Sequence, residues 1–197
     1  MKLSRKGEYA LRALIDLGIA REVGRDLVQV TELAETEVIP VKFLEQIMFE
    51  LRAAGYIESR RGKFGGYRLA KDPDEIRIGE IVRLIDGPLA PIGCVSQTSY
   101  QRCTCPDEEH CGLRMIMMDV RNAIAGILDR YSLANVVEVT LRKLRRDGLP
   151  LPYSGPPPHL AGRRGAAPLA PAASADLAAS RQAVDGILSN LLPDYSI

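Results

Sequence analysis

Six residues, Arg61-Gly62-Lys63-Phe64-Gly65-Gly66, separate a pair of short strand-like runs, 56–60 and 67–70, and constrain this chain more than any other stretch. Glycines bracketing a basic tip make a β-hairpin, whose strands read Ile57/Ser59 and Tyr67/Leu69. What precedes it is helical. Tyr9, Ala10, Ala13, Leu14 and Leu17 follow helical spacing, with Ser4 as N-cap. Thr31 is placed to cap a brief helix carrying Leu33 and Ala34, after a short extended piece at 28–30. Pro40 fits the first turn of a longer helix with Phe43, Leu44, Ile47, Met48 and Leu51 inward, ended by Gly55. The link 35–40 is short enough to force helix-turn-helix geometry. A helix-turn-helix followed by a basic hairpin, in that order, reads as a winged helix, mainly α with a small β-hairpin.

Ile78, Ile81, Val82 and Ile85 mark a further helix, stopped at Gly87-Pro88, so the reading head is expected to span 1–87. Residues 88–112 keep no period and hold all four cysteines, Cys94, Cys103, Cys105 and Cys111. A loop that long within a domain is usually functional or disordered, and the cysteines favour function. Leu113, Ile116, Met117, Val120, Ile124, Ile127 and Tyr131 then lie along one amphipathic stripe, with Arg114, Asp119, Arg121 and Asn122 on the polar face. Such a one-sided helix, too long for its neighbour to cover, predicts a homodimer; packing on its own reading head is the alternative. A last helix opens at Ser132, and 113–147 is expected to form the dimerisation helices. Seven of the 13 prolines lie between Pro150 and Pro171, so 148–197 reads as a disordered tail with a short helix at 175–192.

Charge sharpens the division. The net charge is +1, yet 1–71 carry an excess of +3, 72–112 one of −5, 113–147 one of +3 and 148–197 none. The expected DNA contacts are Val41, Lys42, Glu45 and Gln46 on the second helix of the pair, for base edges, with Gln46 suited to adenine. Arg60, Arg61 and Lys63 on the wing suit phosphates or a narrow minor groove, and Ser4 and Lys6, beside Arg5, a phosphate at a helix start. A winged helix used for protein contacts is the rival. No stretch approaches the roughly 20 apolar residues of a membrane span, and the start lacks the apolar core of a signal peptide. A cytoplasmic protein without membrane contact is expected. No nucleophile triad, phosphate loop or paired-carboxylate motif appears, and His110 and His159 are the only histidines, so an enzyme is not expected.

The strings Met1-Lys2-Leu3-Ser4-Arg5-Lys6-Gly7-Glu8-Tyr9-Ala10-Leu11-Arg12, Phe43-Leu44-Glu45-Gln46-Ile47, Arg61-Gly62-Lys63-Phe64-Gly65-Gly66-Tyr67-Arg68-Leu69 and Ile78-Gly79-Glu80-Ile81 resemble the bacterial Rrf family of winged-helix transcription regulators, over roughly 1–147. The resemblance implies a homodimer crossed through the long helix, bound to an inverted-repeat operator on double-stranded DNA. In sensor members three loop cysteines hold an iron–sulfur cluster, of two or four irons. The five-residue gap between Cys105 and Cys111 matches the family's second gap, which makes Cys94, Cys105 and Cys111 the implied ligands and Cys103 a spare or alternative. Arg114 stands where some members have a histidine ligand. That leaves Glu8, from the other subunit, or His110 as the fourth. A cluster responds to oxidants, nitric oxide or iron supply, whereas zinc on four thiolates does not change redox state. The one-residue gap between Cys103 and Cys105 is tighter than usual for zinc, and a metal-free thiol/disulfide sensor is the other alternative.

Overall fold

The computed structural model describes residues 2–156; the expected helix at 175–192 and His159 lie outside the described residues. The chain forms α1 (Arg5–Glu22), α2 (Val30–Glu37), α3 (Val41–Ala53), β1 (Ile57–Arg60), β2 (Gly66–Leu69), α4 (Ile78–Asp86), α5 (Gly112–Arg130) and α6 (Leu133–Arg146). Residues 1–154 make one compact unit.

Helix α1 starts where Ser4 Oγ accepts from the Gly7 amide at 3.0 Å. Helix α2 begins two residues earlier than expected, at Val30, and its N-cap is Gln29, whose side chain makes no capping bond, so Thr31 is not the cap. The α2–α3 turn runs through Val38, whose φ of 53° puts a β-branched residue in the left-handed region. Helix α3 buries Leu44, Ile47, Met48 and Leu51 completely, while Phe43 is only half-buried, edge-on against Tyr9 at 5.8 Å. The hairpin is antiparallel, with Ile57 opposite Leu69 and Ser59 opposite Tyr67. An isolated bridge between Val28 and Tyr67 secures the wing from outside. Gly65 and Gly66 are required there: a Cβ on the first would strike the Arg60 carbonyl, and one on the second would stand 2.6 Å from the Val28 carbonyl.

Two boundaries differ from the sequence reading. Helix α6 does not stand with α5 as a dimerisation unit. Its Leu133, Val137 and Leu141 belong to the same core as Ala10, Leu14 and Leu17 of α1, and Gly18 lets α1 approach so closely that a Cβ would sit 2.6 Å from Val137. The tail does not begin at 148 either. Tyr153 is buried and its hydroxyl donates to Asp16 of α1 at 2.6 Å, so the chain stays in the domain through Ser154. By contrast none of the residues of α5 is buried; it rests on α4 through the paired bonds from Arg83 to Asp129, at 2.6 and 2.7 Å.

Candidate functional site

The outward face of α3 carries Lys42 and Gln46 exposed, with Val41 and Glu45 half-buried beside them. Lys42 reaches Glu45 at 3.1 Å, an exposed pair of little energetic weight that a phosphate or base edge can replace. Arg60, Arg61 and Lys63 are exposed on the wing. Gln29 donates to the Lys63 carbonyl at 3.1 Å, which ties the wing tip back to the start of α2. A surface groove lined by Gln29, Thr31, Arg52, Ser59, Arg60 and Arg61 joins the wing to α3.

The start of α1 differs from expectation. The Ser4 amide donates to the Asp86 carboxylate at 2.8 Å and its hydroxyl also bonds that carboxylate, so the anion at this helix end is Asp86 of α4. Lys6 bonds Glu50 of α3 at 2.7 Å. Ser4 and Lys6 therefore join α1 to α4 and α3 rather than waiting for a phosphate. Sequence reasoning missed Phe49 and Arg52, both exposed on α3; the helical spacing from Lys42 through Gln46 to Phe49 was the available signal.

The cysteine loop lies between α4 and α5. Cys94 is buried in a short 3-10 turn, Gly93–Val95, and Cys111 is the N-cap residue of α5. Arg114 and Arg121, expected on a solvent face, turn to the loop instead: Arg114 Nε donates to the Cys94 carbonyl at 3.4 Å and Arg121 to the Val95 carbonyl at 2.6 Å. Glu108 gathers the other side, accepting from the Tyr100 hydroxyl at 2.8 Å, pairing with Arg114 at 3.3 Å and meeting the Cys103 thiol at 3.9 Å.

The four thiols are all free and are near enough to act on one another's protonation in pairs, Cys94 with Cys103, Cys103 with Cys105 and Cys105 with Cys111. Cys103, which the family resemblance leaves as a spare or alternative ligand, neighbours both Cys94 and Cys105. Burial pushes the Cys94 thiol up, helped by Cys103 and Glu108. The Cys105 thiol is pushed up to about 11, first by its hydrogen bond with Cys103. Among the described residues no three His, Cys, Asp or Glu side chains stand in metal-ligand geometry. The donor chemistry nonetheless suits a thiolate-held metal group, because four soft ligands are neighbours and a bound cation displaces their protons. His110 is exposed and turned to Asp107, with Nδ1 2.8 Å from the carboxylate, while Glu8 pairs with Arg12 at 3.3 Å along α1. On α5, Leu113, Ile116, Val120 and Ile127 are exposed and Met117 and Ile124 half-buried. Tyr131 leaves that stripe: it is buried in its own chain just past the helix, where its carbonyl accepts from the Ile78 amide at 3.1 Å. No helix among the described residues is long and apolar enough to cross a membrane.

Residues 3–139 match the family model described as Rrf2, iron-dependent transcriptional regulator. An rrf2-like HTH-type transcriptional regulator of Rhodobacter capsulatus is 40% identical over 139 residues, covering 68% of this chain and 91% of the relative. The regulator CymR of Bacillus subtilis is 31% identical over 140 residues, covering 71% and 92%. Its solved structure, described as that of a global cysteine regulator, superimposes with a TM-score of 0.58 at 29% identity, covering 71% of this chain and 98% of that one. The structure of T. potens IscR gives 0.55 at 28% identity, covering 71% and 88%. This chain therefore belongs to the Rrf2 family of transcriptional regulators.

Proposed function

We propose that this chain acts as a homodimer on an inverted-repeat operator, most simply as a repressor, and that its DNA affinity is set by an iron–sulfur cluster held by the cysteine loop. The observation that supports the reading is that four free cysteines fall in one loop, neighbouring one another in pairs, with the last of them at the N-cap of the exposed helix α5. Cys94, Cys105 and Cys111 would hold the group, with Cys103 as the alternative fourth ligand in place of Glu8 or His110. When bound, such a group supplies reactivity toward oxidants, nitric oxide or iron supply.

The protein's role is to carry the state of the loop to the reading head. Cys111 is the N-cap residue of α5 and leads directly into that helix. Arg114 and Arg121 hold the far side of the loop, at Cys94 and Val95, on the same helix. Any change in how the sulfurs are held therefore acts on α5 at both its first and its third turn. From α5, Arg83–Asp129 leads to α4, Asp86–Ser4 to α1 and Lys6–Glu50 to α3. In a dimer built on Leu113, Ile116, Met117, Val120, Ile124 and Ile127, a tilt of α5 alters the spacing of the two recognition helices and so the fit to half-sites.

Anaerobically purified protein is expected to be coloured and to contain iron and acid-labile sulfide, with operator affinity that changes on exposure to air. Colourless protein lacking both refutes the cluster. A metal-free thiol regulator is the second reading, supported by the pairing of the Cys105 thiol with Cys103 and with Cys111. It predicts loss of free thiols on oxidation with no bound metal, and zinc analysis of the same sample separates the zinc variant.

A further inference from the structure

Lys42, Glu45, Gln46 and Phe49 are spaced i, i+3, i+4 and i+7, so α3 presents them on one side. Phe49 is the anomaly. The residue is 63% exposed, on a helix whose inner residues, Leu44, Ile47, Met48 and Leu51, are fully buried. It is not a stray core residue, and it is braced in place. The Arg52 guanidinium lies 5.8 Å from the ring centroid, and Arg52 also donates to Ser59 Oγ of β1 at 3.1 Å. Arg52 in turn lines the groove that holds Arg60 and Arg61 of the wing. One continuous surface thus offers an amide at Gln46, an apolar ring at Phe49 and cations at Arg52, Arg60 and Arg61.

That sequence of groups fits a DNA major groove better than an apolar protein face, because the ring is isolated among polar and charged side chains: the shallow depression around it is lined by Lys42, Glu45, Gln46 and Glu50. The major groove offers one apolar group for such a ring, the C5 methyl of thymine. Resting on the operator-binding reading above, we infer that Phe49 is a specificity-determining residue that contacts a thymine methyl in each half-site. Gln46 and Phe49 are three residues apart, ~4.5 Å along the helix axis. This is little more than one base step of about 3.4 Å. The thymine therefore lies within about two base pairs of the base that Gln46 reads.

The full-length protein is used to select duplexes from a random pool. The selected duplex is then resynthesised with deoxyuridine in place of each thymine in turn, which removes the methyl and leaves the hydrogen-bonding edges intact. One thymine per half-site is expected to weaken binding about fourfold when replaced, the effect of burying one methyl. Phe49→Ala is expected to bind the two duplexes alike, and Phe49→Leu to recover some of the preference. The inference is overturned if the wild type tolerates every deoxyuridine, or if Phe49→Ala keeps the full preference. The wild-type scan stands even if a variant folds poorly. Failure to enrich any duplex overturns the operator-binding reading itself, and this inference with it.

Discussion

Asp16 sits on the buried face of α1, 3% exposed, beside core residues Ala13, Leu17 and Ala20. The Tyr153 hydroxyl donates to it at 2.6 Å; Glu37, which bonds Arg12, faces it as a second carboxylate, and Arg25 lies over the Tyr153 ring at 5.7 Å. Burial pushes the Asp16 carboxyl up to about 7 from its ordinary 3.8; the Tyr153 bond opposes this and Glu37 adds to it. A carboxyl with a higher value in the folded state binds more protons when folded. Its stabilising contribution is full below about pH 4 and is lost as pH rises through about 7. At ~1.4 kcal/mol per pH unit, the whole effect is about 4 kcal/mol. Between pH 5 and pH 8 the loss is about 2.5 kcal/mol. Asp16→Asn keeps the side-chain shape and an acceptor for Tyr153 but cannot ionise. Urea unfolding of both proteins at pH 5 and pH 8, at one protein concentration and followed by far-UV circular dichroism, measures the difference. The wild type is expected to lose about 2.5 kcal/mol more than the variant over this interval. Equal losses refute the reasoning, since they mean that Asp16 is already ionised at pH 5 or is hydrated in the folded state.

Val38→Gly is expected to raise stability by about 1 kcal/mol, because it relieves a β-branched residue at φ 53° whose side chain is 87% exposed and contributes little packing; an unchanged or lower urea midpoint contradicts this. Ile116→Glu places a charge in the exposed α5 stripe and is expected to yield a folded monomer in sedimentation experiments, whereas an intact dimer removes α5 from the interface. Arg61→Ala is expected to weaken all duplexes alike and to lower the salt slope by about one, while Gln46→Ala costs about 1–3 kcal/mol of discrimination at a single base. Gel shifts at several salt concentrations distinguish the two patterns, and retained affinity and selectivity in both variants reject the assigned face.

Local patterns foretold much of the chain. Ser4 caps α1, Gly55 follows α3, Gly87 stops α4, and alternation with glycines sets the hairpin, all through interactions within a few residues. The site was less legible. Ser4 and Lys6 look like phosphate ligands until the fold brings Asp86 and Glu50 to them from 82 and 44 residues away. Arg114 and Arg121 look like a solvent face until the loop carbonyls of Cys94 and Val95 arrive beside α5. The family's gap left Cys103 as a spare or alternative ligand, and gaps along the chain say nothing about how a loop without a period folds back.

What the amino-acid order alone determined is the winged helix, the clustering of four thiols in one loop and the apolar stripe that follows. These depend on periodicity, glycine conformation and residue type, which act locally. Tertiary packing decided the rest. It put α6 into the core with α1 through the close approach of Gly18 and Val137, kept Tyr153 in the domain as the partner of a buried Asp16, and turned Tyr131 inward while leaving the stripe of α5 uncovered. Each of those outcomes depends on which distant surface is free to receive a side chain, and no local pattern carries that information.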